Sequence, residues 1–129
     1  MGIILNFFSL CFILLILILN NSEFAYAVSN VDWVLLKENN DGKEWIDMGS
    51  IKETNAGEIT VLTKFLKNPK EPSDKAELSL YVMRINCNDN TFKDTSINGI
   101  PQFGSKWQSS NNDELIEVVI EKSCSERVN

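Results

Sequence analysis

The chain has 129 residues, with 12 Lys and Arg against 18 Asp and Glu, a formal charge of −6 and no histidine. One small domain fits that length, and the acidic balance argues against nucleic acid as a partner, because phosphate neutralisation requires clustered cations. Without histidine the commonest general base and the commonest zinc ligand are missing, and Ser-His and Cys-His nucleophiles with them.

Residues 1–27 read as a secretory leader. Ile3 to Leu19 is apolar apart from Asn6 and Ser9, Asn20-Asn21-Ser22-Glu23 is a polar break, and Ala25-Tyr26-Ala27 is a small-x-small cleavage site, so cleavage is expected after Ala27. The leader is off pattern in one respect, since only the α-amino group supplies positive charge ahead of the apolar stretch. That stretch is at the short limit for spanning a bilayer. Cleavage would discard Cys11 and leave a single domain over 28–129, with 12 basic and 17 acidic side chains. Two cysteines remain, and in an oxidising compartment Cys87 and Cys124 are expected to pair.

In the mature part, Trp33 to Glu38 and Lys43 to Asp47 flank Asn39-Asn40-Asp41-Gly42 and read as a hairpin. Asp47-Met48-Gly49-Ser50 is a turn in which the Asp47 carboxylate can accept backbone N–H bonds, followed by Ile51 to Glu53. Glu58 to Lys67 is the first long strand, with Ile59, Val61, Thr63 and Phe65 on one face. Pro69 and Pro72 make 68–75 an exposed connection. Glu77 to Cys87 is the second long strand, with Leu78, Leu80 and Val82 on one face and Tyr81, Met83 and Ile85 on the other. Thr91 to Ile97 and Ile100 to Phe103 are strands around an Asn98-Gly99 turn. From Asp113 to Cys124, Leu115, Ile116, Val119, Ile120 and Cys124 recur at helical spacing, with Asn111 and Glu114 as a capping box. The fold class is therefore α+β: a small antiparallel sheet of about five to six strands in a meander, with a C-terminal helix on the Tyr81, Met83 and Ile85 face, tied by the disulfide.

No Gly-rich phosphate loop, CxxC pair or calcium-loop spacing is present, so no catalytic, metal or cofactor residue is assigned. Asp41, Asp47, Asp89 and Asp94 sit in or beside turns, where Asp is favoured for backbone capping rather than acid-base work. Trp33, Trp45, Trp107, Phe65, Tyr81, Phe92 and Phe103 are expected to form core in preference to a ligand pocket. Two candidate partner surfaces stand out. Lys64, Lys67, Lys70 and Lys75 cluster around the proline-containing connection. Leu78, Leu80 and Val82 lie on the sheet face that one helix leaves uncovered, which suits a protein partner or a homodimer.

The order of features from Val31 to Cys124 resembles the bacterial surface-adhesin protein E family. The matching pieces are Asp32-Trp33-Val34, Asp41-Gly42, Trp45-Ile46-Asp47 followed by Ser50-Ile51, Tyr81 leading into Cys87, Trp107, and the closing Cys124. The resemblance implies an antiparallel sheet with a disulfide-fastened C-terminal helix and no catalytic motif, with Trp33, Asp47 and Trp107 as structural markers. It also implies residence in, or display on, the envelope of a Gram-negative bacterium, and binding of host extracellular-matrix or plasma proteins. The alternative is a periplasmic envelope protein that binds a small ligand or supports an envelope assembly.

Overall fold

A computed structural model describes residues 30–127. The leader and its cleavage after Ala27 lie outside the described residues. The elements run β1 (Trp33–Glu38), β2 (Gly42–Asp47), a 3₁₀ turn (Met48–Ser50), β3 (Lys52–Glu53), β4 (Ile59–Lys67), β5 (Glu77–Asn86), β6 (Thr91–Ile97), β7 (Ile100–Pro101), β8 (Gln108–Ser109) and α1 (Glu114–Ser125). All strand pairs are antiparallel, in the order β1-β2-β4-β5-β6-β7, with β3 also on β4 and β8 also on β6. The described residues hold eight strands against the five to six expected. β3 and β7 are two-residue pieces within the expected Ile51 to Glu53 and Ile100 to Phe103 segments, whereas β8 lies in a polar stretch with no strand signal at all.

Local chemistry fixes the hairpins. Asn39 Oδ1 accepts from the N–H groups of Asp41 (2.9 Å) and Gly42 (3.2 Å), which turns β1 into β2. A Cβ on Gly42 would lie 2.2 Å from the Leu66 carbonyl oxygen and 2.6 Å from the Phe65 ring, so β2 reaches β4 this closely only with glycine there. Asn98 (φ 49°) and Gly99 (φ 79°) form the two-residue turn with paired positive φ angles that matches strand twist.

Alternation in the long strands builds the core. Ile46, Ile59, Val61, Met83 and Ile85 are all buried on one sheet face, where Val119 and Ile120 of α1 cover them. This is the face expected from the helical stripe. The helix begins differently: Asp113, not Asn111, is the cap, its carboxylate accepting from Leu115 N (2.9 Å) and Ile116 N (3.4 Å). Asn111 and Asn112 instead adopt positive φ in the preceding turn. A disulfide joins Cys87, just past β5, to Cys124 in the last turn of α1, with 5.7 Å between their Cα atoms.

Asp47, buried at the end of β2, ties three segments together. Its Oδ1 accepts from Asp32 N (2.9 Å) and Gly49 N (3.1 Å), and its carbonyl accepts from the Ser50 hydroxyl (2.7 Å), which in turn accepts from Leu62 N (2.8 Å). Replacing Asp47 with Ala removes two charge-assisted bonds and orphans their donors, so chemical denaturation should show a loss of about 2 kcal/mol. Asn, which keeps an acceptor oxygen, should lose roughly half as much.

Candidate functional site

The sheet presents two different faces, and candidate binding features occur on both. On the face away from α1, strand register places Trp45 beside Lys64 and Lys64 beside Leu80, with Leu66 beside Leu78 and Leu62 beside Val82 in flanking rows. Trp33 and Leu35 extend this face onto β1. The Lys64 ammonium lies 4.5 Å from the Trp33 ring centroid and 4.7 Å from that of Trp45, so the two indoles clasp one cation. Leu35, Leu78 and Leu80 are exposed, Leu78 to 55%. An apolar surface of this kind, ringed by charge, is the usual mark of an interaction site.

The lysine cluster expected around the connection divides. Lys64 belongs to the outer sheet face, because its β4 position alternates with buried Thr63 and half-buried Phe65 of the other face. Lys67, Lys70 and Lys75 stay together and exposed at the strand ends. A backbone bond from Asp74 N to Glu71 O (3.0 Å) and a side-chain bond from Glu71 N to Asp74 Oδ2 (3.1 Å) fold that connection. None of these three lysines is in an ion pair among the described residues.

The aromatic residues depart from expectation. Of the seven expected in the core only Phe92 is buried. Trp33 and Trp45 face outward, Phe103 is 95% exposed beyond the end of β7, and the Trp107 ring is exposed with Lys93 Nζ 4.7 Å above it. Branched aliphatic residues and Met83 fill the space under α1 instead. Phe65, Tyr81 and Phe92 line a cavity of about 360 Å³ between the inner sheet face and the start of α1. Thr63, Met83, Gln108, Leu115 and Ile116 complete its walls, and Asp41, Glu44, Asp94 and Asp113 supply its carboxyl groups.

Glu44 is the residue that sequence reasoning missed. Only 3% of it is exposed, and burial pushes its carboxyl up to about 8, with the charges of Asp113 and Asp94 adding to the rise and the Thr63 hydroxyl opposing it. The signal was present in alternation: Gly42, Glu44 and Ile46 share a face, and Ile46 is a core residue, whereas reading the strand from Trp45 placed the wrong face inward. Asp94 also differs from expectation, since it lies inside β6 and burial raises its carboxyl too. Outside the cavity, Lys37 reaches from β1 to Glu114 (2.8 Å) and lowers the Glu114 carboxyl.

No basic residue lines the cavity, so its carboxyls have no internal counter-ion there. Among the described residues no three acidic or cysteine side chains converge as a metal site would require.

With this geometry in place, comparison with known proteins places the chain. The family model of the surface adhesin-E family matches residues 34–129, well over half of the sequence. No curated protein and no solved structure matches it.

Proposed function

The chain belongs to the surface adhesin-E family, and from that premise we propose that it is exported through its leader and acts, without catalysis, as an adhesin-type module that holds a protein partner on the outer sheet face. The observation that carries this reading is the uncovered face itself, where exposed Leu35, Leu78 and Leu80 surround the Trp33-Lys64-Trp45 clasp. Aromatic and leucine anchors beside a fixed cation suit a protein surface better than a small solute. Lys67, Lys70 and Lys75 at its margin add a positive field that speeds encounter with an acidic partner. Host matrix and plasma proteins are the partner class that the family resemblance supplies.

The test uses protein produced from the full chain in an oxidising bacterial periplasm, where the mature protein should begin at Val28 by mass spectrometry. Immobilised matrix and plasma proteins should capture it, and Leu80→Lys should weaken capture roughly tenfold or more. Light scattering on the same variant separates a host partner from a second copy: loss of a dimer assigns the face to self-association. Failure of antibody or protease to reach the domain on intact cells sinks the adhesin reading.

A further inference from the structure

We propose that the cavity under the start of α1 is a binding site for an organic cation, a primary amine or guanidinium carried on an apolar chain or ring. It lies on the sheet face opposite the proposed partner surface, so the two readings stand or fall separately.

The chemistry follows from what the cavity contains and lacks. At about 360 Å³ it falls within the range of small-ligand sites. Its aromatic side is Phe65, Tyr81 and Phe92, whose ring faces attract cations as well as apolar groups. Its polar side holds four carboxyls, Asp41, Glu44, Asp94 and Asp113, beside Thr63 and Gln108, and neither Lys nor Arg enters it. Glu44 is the second, independent observation. It is almost wholly buried in the wall and belongs to no ion pair among the described residues. Without a cation beside it Glu44 stays protonated, bonded to the Thr63 hydroxyl, and a bound ammonium supplies the counter-charge that its ionised form lacks. The carboxyls do not converge tightly enough for a metal ion, which favours a longer cation bridging them. A mouth exists as well, because Asp41, Phe92, Gln108, Asp113 and Ile116 also border the polar groove running past β8.

Binding should be linked to protons. The groups facing Glu44 are Asp94 from β6, Asp113 at the helix start, Asp41 from the first hairpin, and Tyr81 and Thr63 from β5 and β4, while Lys37 from β1 is held by Glu114. A cation entering this set favours the ionised form of Glu44, so it expels a proton near neutral pH.

The experiment is calorimetry on the oxidised protein from the full chain. The probes are phenethylamine, its neutral isostere 2-phenylethanol, and Nα-acetyl-lysine methylamide. Phenethylamine should bind with proton release at pH 7, seen as buffer-dependent heat, and more tightly as pH rises from 6 to 8.5. The isostere should be weaker by roughly tenfold. Binding of the blocked lysine alone would assign the site to a side chain of a partner, and binding of phenethylamine would assign it to a free amine. Asp94→Asn and Glu44→Gln should each weaken the amine, and Asp94→Asn keeps the test valid if the Glu44 variant does not fold. Equal affinity for amine and isostere, or no binding by either cation, overturns the proposal.

Discussion

Denaturation of the oxidised protein should show stability falling as pH rises from 5 to 8.5, and Glu44→Gln should remove most of that fall. The unfolded chain releases the Glu44 proton near 4.5, whereas the folded chain holds it to about 8. Between those values the native state binds the extra proton, so stability declines with rising pH. The contribution is fully present below 4.5 and is lost as pH climbs through 8. Its ceiling is about 5 kcal/mol at 1.4 kcal/mol per pH unit, and water entering the cavity should reduce it to roughly 2 to 4. Asp94, raised by burial, acts with the same sign. Glu114, lowered by Lys37, has the opposite sign, but its loss falls at acid pH outside this window. Gln keeps the size of the protonated acid and cannot ionise, so the variant should exceed the parent in stability at pH 8.5. A parent profile that is flat from 5 to 8.5, or a variant that keeps the slope, would falsify the assignment to Glu44.

That residue also marks how far the sequence could be read. Period-2 alternation in β4 and β5 identified the face that α1 covers, because Ile59, Val61, Met83 and Ile85 repeat over many turns of the pleat. The stripe from Leu115 to Cys124 and the even cysteine remainder located the helix and its tie. In β2 only six residues are available, and its large apolar residue, Trp45, points outward against Lys64. A tryptophan next to an isoleucine makes the parity ambiguous, and the wrong choice hides Glu44. The cavity was illegible for a further reason. Asp41, Glu44, Asp94 and Asp113 come from four separate segments, and only strand register and the helix docking bring them to one space. The outer face could be read in part: Leu78, Leu80 and Val82 were visible within one strand, whereas the union of Lys64 with Trp33 and Trp45 depends on pairing across three.

Replacing Cys87 and Cys124 with Ser should lower stability by about 4 kcal/mol, since the bridge spans a sequence separation of 37 and loop-closure entropy for such a span has that size. A domain this small has a total stability of roughly 5 to 10 kcal/mol, so the variant should unfold at markedly lower denaturant and be partly unfolded in warm conditions. Alkylation of the unreduced parent in denaturant should find no free thiol in the mature protein, and two modified cysteines would remove the premise. Hydrogen exchange then shows where the loss acts. The 12-residue α1 is marginal by itself and docks through Leu115, Val119 and Ile120, with the bridge near its far end. If the bridge holds the helix down, exchange in the last turns of α1 should quicken before β4 and β5 lose protection. If it acts only by restricting the unfolded chain, all slowly exchanging amides should quicken together by the global amount. Because the cavity is roofed by the opposite end of α1, the first outcome predicts that amine binding survives reduction of the bridge, and the second that binding weakens in step with the folded fraction.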